Sequence, residues 1–263
     1  MPEQLRRFSH SLVDQYLRCP RKAEFQYVEN IPSPKTAALV KGSGCDGAWN
    51  KALEAKLDGG DPMPIEELLE VTEAEFRTAV REAGGVKEVD WGDSGPREQL
   101  DSAIRLSKQW HLGLYADMEP TAVQVELHRA LPSGRDVIGF LDWEGRFDGR
   151  EVVGDNKTGK RKFSAGEADN ALQPSAYAYL KGEAIDFVFT RAVDTGKSQS
   201  SEAIVTSRSQ GDIDWYAKLL GDVERAFESG VFPTNPTGPL CGPKHCPYYE
   251  RCMPHRSVSG PAS

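Results

Sequence analysis

Apolar and polar positions follow two different rhythms along the chain, and the change from one to the other divides it. Near the N-terminus, residues 9–18 predict a short helix carrying Leu12, Val13, Tyr16 and Leu17. Ser9 or Ser11 can cap it, and Ser11 with Asp14 has capping-box spacing. The helix stops at Cys19, because Pro20 disfavours helix in the residue before it. A second run, 21–29, places Phe25 and Tyr27 for packing, and Ile31-Pro32-Ser33-Pro34 is a loop. From 46 to about 57, Ala48, Trp49, Ala52, Leu53 and Leu57 recur at helical spacing, until Gly59-Gly60 ends the element. The stretches 64–83 (Leu68, Leu69, Phe76, Val80) and 96–115 (Leu100, Ile104, Leu106, Trp110, Leu114) each open on proline and predict longer helices. Residues 46–118 thus read as mostly helical.

The period then shortens to two. Residues 122–129, 135–146 and 151–155 alternate and are rich in β-branched side chains, with turn residues at Pro132-Ser133-Gly134 and Phe147-Asp148-Gly149-Arg150 between them. A helix over about 166–180 follows, in which Pro174 marks a kink or the true start. Strands are expected over 184–191 and 202–207, and a last helix over 212–229. The tail from Phe232 carries four prolines before Cys246 and reads as irregular. The order predicts an α/β core preceded by a helical insertion. The expected organisation is an N-terminal segment (1–45), a helical subdomain (46–120), a core (121–230) and a cysteine-rich tail (231–263).

Composition narrows the class. At 263 residues, 38% hydrophobic and 27% charged, the chain has the balance of a soluble globular protein, which excludes collagen-like and largely disordered readings. No apolar run approaches the ~18 residues of a membrane helix, and no apolar stretch follows Arg6-Arg7, so a cytoplasmic protein without a secretory signal or membrane partner is expected. A net charge of −8 argues against a passive nucleic-acid coat, which would be basic. It leaves room for an enzyme that touches nucleic acid locally. No Walker A sequence is present, so the chain is not a helicase motor.

Chemistry concentrates in two places. Asp155-Asn156-Lys157 ends the third strand, where Asp155 and Lys157 fall on one face because the period is two. A carboxylate there can hold a hard divalent cation, while the lysine positions or deprotonates a water near it. The bland alternative makes both of them turn residues leading into Thr158-Gly159-Lys160. Asp142 lies across a hairpin from Asp155, and Gln173 and Tyr177 are one turn apart on the following helix. The second concentration is Cys241, Cys246 and Cys252, three thiols within a dozen residues, with Cys19 and Cys45 far upstream. In a reducing compartment this spacing points to metal rather than disulfides. Two residues compete as fourth ligand: Cys19, and His255, which would close a local Cys₃His zinc site. Cys45 fits neither and reads as a semi-buried residue.

The chain resembles PD-(D/E)XK nucleases, specifically the RecB-like branch with an iron–sulfur cluster, which includes CRISPR-adaptation exonucleases, phage-borne relatives and AddB-type helicase–nucleases. The matching pieces, in the family's order, are Ser9-x-Ser11 through Tyr16-x-x-Cys19-Pro20, Gly139-Phe140-Leu141-Asp142, Val152-Val153-Gly154-Asp155-Asn156-Lys157-Thr158-Gly159, Gln173-x-x-x-Tyr177, and Cys241, Cys246-Pro247 and Cys252. The resemblance implies a restriction-endonuclease-like central mixed sheet with flanking helices, the helical insertion, and a C-terminal iron–sulfur region. It implies that Asp142, Asp155 and the Asn156 carbonyl bind Mg²⁺ or Mn²⁺, and that Lys157 orients the attacking water. Gln173 and Tyr177 would contact nucleic acid or fix the lysine, and Glu126 would be an outer or water-mediated ligand. Cys19, Cys241, Cys246 and Cys252 would hold a [4Fe–4S] cluster.

One departure from the family is plain: its early Gly-x-x-x-His is Gly42-Ser43-Gly44-Cys45-Asp46 here. Asp46 either replaces the histidine as a metal ligand or caps the helix that follows, and His10, between two serines, is not a substitute. Arg21, Lys22, Lys160 and Arg161 are the candidate nucleic-acid contacts as a group, with a solvated loop as the alternative, the favoured one for Arg161 taken singly. Trp143, Tyr177 and Tyr179 could stack on bases, with core packing as the alternative. The implied activity is a single-strand-preferring DNA exonuclease. Its rivals are a non-catalytic nucleic-acid-binding module with a zinc site, and an accessory subunit of a recombination, helicase or CRISPR-adaptation complex.

Overall fold

The computed structural model describes residues 7–253. From the N-terminus come β1 (Arg7–Ser9), α1 (His10–Arg18), α2 (Pro20–Ala23) with a π-helical turn over Glu24–Val28, and β2 (Lys35–Thr36). Then follow α3 (Ala37–Ala55), α4 (Ile65–Glu82), β3 (Val89–Asp90) and α5 (Pro96–Gly113). The long strands are β4 (Met118–Ala130), β5 (Asp136–Phe147), β6 (Arg150–Gly159), β7 (Ile185–Asp194) and β8 (Gln199–Arg208). Helices α6 (Ala165–Asp169) and α7 (Leu172–Lys181) lie between β6 and β7, and α8 (Gln210–Glu228) and α9 (Tyr249–Cys252) follow β8. None of the described helices is long and apolar enough to cross a membrane.

The chain divides into two compact units. The larger takes in Pro34–Arg129 and Ile138–Tyr216. In it β4 pairs with β5, and β5, β6, β7 and β8 are neighbours in that order. The sheet is mixed: β5–β6 and β7–β8 are antiparallel, and β6–β7 is parallel. Asp148 and Gly149 join β5 to β6 with φ of 48° and 73°, the left-handed pair that a tight hairpin requires. The parallel pair needs a crossover, which α6 and α7 supply. One face of the sheet, with Trp143, Val152, Val188 and Ala192, joins the core of α3, α4 and α5. There Trp49 and Trp110 stack with centroids 5.1 Å apart, and the Trp49 indole N–H donates to Ser107 Oγ at 2.9 Å. On the other face Tyr177 of α7 stacks on Phe187 at 5.9 Å.

Two helices differ from the sequence reading. The helix expected from 46 begins at Ala37, with Thr36 as its N-cap accepting from the Leu39 amide at 3.3 Å. Gly42 and Gly44 lie inside it. Gly44 serves contact rather than flexibility, since a Cβ there would sit 2.8 Å from the Phe76 Cα of α4. The helix expected over 166–180 is two helices. Ser164 and Glu167 form a capping box on α6, and Pro174 falls in the first turn of α7, where its missing N–H costs no helical bond.

The smaller unit comprises the described residues up to Ser33, Ala130–Val137 and those from Ala217 onward. Its centre is aromatic: Phe227 lies 5.8 Å from Phe8, 5.3 Å from Tyr16 and 5.0 Å from Phe232. Tyr248 packs on Phe25 at 5.5 Å and donates to the Ile31 carbonyl at 2.8 Å. Asn235 donates to the Arg18 carbonyl at 2.9 Å, so the two ends of the chain are tied by ordinary contacts.

In the larger unit Asp194, at the end of β7, accepts from Ser102 (2.9 Å) and from Arg105 Nε (3.0 Å) and Nη2 (2.9 Å) of α5. Burial alone would raise its pKa. Hydrogen bonds from Gln199, Gly196, Ser102 and Arg105 outweigh burial and hold it at about 2. A depressed carboxylate stabilises the fold above its unfolded pKa and loses that contribution as pH falls through the folded one, here between about pH 4 and 2. The loss is roughly 2 kcal/mol. Thermal melts from pH 5 to pH 2 should show this component in the wild type and not in Asp194→Asn.

Candidate active site

The sheet brings Asp142, Asp155 and Lys157 together at the end of β6, with Asp46 reaching the same place from α3. Asp155 is 2% exposed, and its Oδ2 lies 2.6 Å from the Lys157 ammonium. Its Oδ1 accepts from Gln173 Nε2 at 2.6 Å, so α7 orients this carboxylate. Tyr177, one turn on, donates to the Phe140 carbonyl at 2.5 Å and thereby fixes the strand two residues before Asp142. Gln173 therefore holds a carboxylate rather than the lysine. Asp142 Oδ2 accepts from the Asn156 main-chain N–H at 2.7 Å. The Asn156 side chain takes a 2.6 Å hydrogen bond from Thr190, and its Nδ2 is buried without a partner.

The charges are strongly interdependent. Burial, then the Asp155 and Asp46 carboxylates, push the Asp142 pKa well above the usual range, against the opposing pull of Lys157 and the Asn156 amide. Burial and Asp155 raise Asp46, against Lys157 and a hydrogen bond from Asn50. Burial acts to lower the Lys157 pKa, but Asp155, Asp142 and Asp46 overcome it and hold the ammonium above its ordinary value. Burial, then Asp155, also raise the Tyr177 phenol, which stays protonated as a donor. Because α3 runs unbroken through Asp46, this residue is no helix cap.

This donor set fits a hard dication. Three carboxylates act electrostatically on one lysine, of which Asp155 touches it, and Asp155 Oδ2 is buried with no hydrogen-bond donor beyond the ammonium contact. Among the described residues, no three His, Cys, Asp or Glu side chains are grouped to cage an ion by themselves. Mg²⁺ suits such a site, because it commonly uses one or two carboxylates and takes its other ligands from water and substrate phosphate.

Other expected residues lie elsewhere. Glu126 is on the exposed face of β4, with Oε1 3.0 Å from His128 Nε2, and is not among the charges acting on Asp142. Trp143 is fully buried over Gly154, and Tyr179 is buried beneath Arg129, so both are core residues. Arg161 is held by Glu167, whereas Lys160 is exposed and has no partner among the described residues. In the smaller unit Cys19, Cys241, Cys246 and Cys252 are free thiols lining one cavity of about 320 Å³, together with Arg21 and Lys22. Burial raises the Cys252 thiol, and the neighbouring Cys19, Cys241 and Cys246 raise it further. Cys45 is fully buried in the core of the larger unit, and burial pushes its thiol to about 12. His255 lies outside the described residues. Arg191, on β7 beside Lys157, escaped the sequence reading; the signal was an arginine closing the apolar strand Phe187-Val188-Phe189-Thr190.

The sequence matches the family model of the PD-(D/E)XK nuclease superfamily over residues 7–253. The chain belongs to that superfamily. A crystal structure of a protein from Eubacterium rectale, provisionally described as an exonuclease, aligns with a TM-score of 0.55 at 13% identity, covering 98% of this chain and 91% of that one. The likeness is one of fold. The crystal structure of SSO0001 aligns with a TM-score of only 0.34 at 10% identity, over 90% of this chain and 92% of that one, and carries no argument. Comparison with curated proteins gave no significant match.

Tyr177→Phe removes the donor to the part-buried Phe140 carbonyl. Urea denaturation should show a loss of about 1 kcal/mol, the net worth of one ordinary hydrogen bond. An unchanged midpoint would mean that the Phe140 carbonyl is already satisfied another way.

Proposed function

We propose that this protein is a divalent-metal-dependent deoxyribonuclease that degrades DNA from single-stranded ends. The observation that carries the reading is the convergence of Asp142, Asp155 and Asp46 on Lys157, with Asp155 clamped by Gln173. Asp142 and Asp155 would hold Mg²⁺ or Mn²⁺, with the Asn156 carbonyl and Asp46 as further oxygen donors. The metal would supply Lewis-acid polarisation of the scissile phosphate and a more acidic water.

The residues divide the remaining work. Lys157, charged and anchored by Asp155, donates to the attacking water and aims its lone pair at phosphorus. It also offsets negative charge building on the phosphate oxygens. Gln173 keeps Asp155 from rotating, and Tyr177 keeps the strand of Asp142 in register. Exonuclease mode is supported by the family resemblance and by the description of the Eubacterium rectale neighbour, and single-strand preference by the family resemblance alone.

The smaller unit would carry a [4Fe–4S] cluster on Cys19, Cys241, Cys246 and Cys252. Support comes from four free thiols lining one cavity, with Cys19 brought there from the other end of the chain. Four cysteines are the usual ligand set of such a cluster.

Purified protein should cleave labelled single-stranded DNA with Mg²⁺ or Mn²⁺. Asp142→Ala, Asp155→Ala and Lys157→Ala should each abolish cleavage while circular dichroism stays native. Folded, cluster-loaded protein that cuts no DNA with either metal would refute the enzyme and favour the binding-module reading. For the second centre, anaerobically purified protein should be brown with about four irons per chain. Cys19→Ser should bleach it as fully as Cys246→Ser. A colourless protein with one zinc, retained in Cys19→Ser and lost in His255→Ala, would replace the cluster by a zinc site.

A further inference from the structure

β7 carries a guanidinium that the carboxylate site does not use. Arg191 is paired with Lys157 in the parallel register of β6 and β7, so it follows Asp155 and Lys157 on the same face of the sheet. Its guanidinium is carried further along β6, over Gly159. A Cβ at Gly159 would lie 2.1 Å from Arg191 Nη2, so only glycine leaves room for it there. The Phe163 ring lies 5.5 Å from the guanidinium carbon and supports it by cation–π attraction.

Despite this preparation the group has no acceptor. Among the described residues Arg191 has no side-chain hydrogen bond or ion pair, and its Nε is buried without a partner. Glu202, its cross-strand partner on β8, and Glu167 attract the guanidinium electrostatically, but neither is hydrogen-bonded or ion-paired to it: Glu202 Oε1 accepts from the Phe163 amide at 2.6 Å, and Glu167 is bound to Arg161. A half-buried guanidinium with unused N–H groups is costly unless an anion completes it. Its planar fork matches phosphate geometry. Two residues along a strand, from Lys157 to Gly159, span roughly 7 Å, the length of about two stacked nucleotide steps at about 3.4 Å each and fewer where the single strand is extended.

We propose that Arg191 is a phosphate-binding residue that holds a DNA backbone phosphate one or two nucleotides from the scissile one, with Gly159 and Phe163 as its seat. The inference rests on the nuclease reading above and gives it a grip on the strand beside the cut. Arg191 then helps to hold the substrate in line with Lys157 but takes no part in the bond change.

The test is binding of a fluorescein-labelled single-stranded oligonucleotide, by anisotropy with Ca²⁺ in place of Mg²⁺, from 50 to 200 mM NaCl. Arg191→Gln should weaken binding about tenfold, as for one lost charge-assisted hydrogen bond. It should also lower the slope of log affinity against log salt by about 0.7, the value for one phosphate of a single strand. Arg191→Lys should restore the slope but only part of the affinity. A scan with single neutral methylphosphonate linkages should find a position within two nucleotides of the cut that matters for wild type and not for Arg191→Gln. Equal affinity, slope and scan in both proteins, with wild type active, would overturn this proposal alone. Wild type that neither binds nor cleaves DNA would overturn the nuclease reading, and this one with it. Should Arg191→Gln not fold, the scan on wild type decides, and indifference to every linkage within two nucleotides of the cut would overturn the proposal.

Discussion

Asp142, Asp155 and Asp46 act electrostatically on one another and on Lys157, and the repulsion among the three carboxylates is the constraint that the larger unit has to accommodate. Burial and neighbouring negative charge raise both Asp142 and Asp46. Lys157 offsets only part of that repulsion, through the 2.6 Å contact with Asp155. The fold holds the groups close regardless, because each is anchored on a different element: β5, β6 and α3. This is local destabilisation kept for function, with the compensating stability supplied by packing elsewhere.

That compensation is visible in the helices. Asp46 can reach the carboxylates because α3 runs unbroken past it, braced against α4 by the close approach at Gly44. Behind it the stacked Trp49 and Trp110 and the buried Trp143 fill the space between helices and sheet. On the opposite face α7 has a different task, since Gln173 and Tyr177 spend their polar atoms on Asp155 and on the backbone of β5. The smaller unit stands on its own aromatic cluster, which ties the chain ends together around Phe227 and Tyr248. A metal group bound by its thiols would reinforce a clasp already made by ordinary contacts.

Much of this was legible in the sequence, for physical reasons. Period-two alternation located β5 and β6, and the Asp148-Gly149 pair located their hairpin, because only a few residues tolerate positive φ. The spacing Asp155-x-Lys157 placed both side chains on one face. The start of α3 was not legible, because glycines at 42 and 44 are poor helix formers, and only the close approach of Phe76 on α4 shows why Gly44 sits inside a helix. Glu126 lies outside the carboxylate group because strand position alone does not fix where a side chain on β4 points. Arg191 was hidden by the opposite difficulty: its significance lies in the lack of an acceptor, which only the three-dimensional arrangement reveals.

On the proposed function, a divalent cation bound by Asp142 and Asp155 would relieve the carboxylate repulsion. Thermal stability of the wild type and Asp142→Asn at pH 8, with and without Mn²⁺, tests it most directly. Asparagine keeps an acceptor for the Asn156 amide but removes a charge that the folded site disfavours, since a carboxyl with a raised pKa costs stability when ionised. Metal-free Asp142→Asn should melt higher than wild type, and Mn²⁺ should raise the melting temperature of wild type but not of the variant. A wild type unmoved by Mn²⁺, together with a variant that melts no higher, would contradict it.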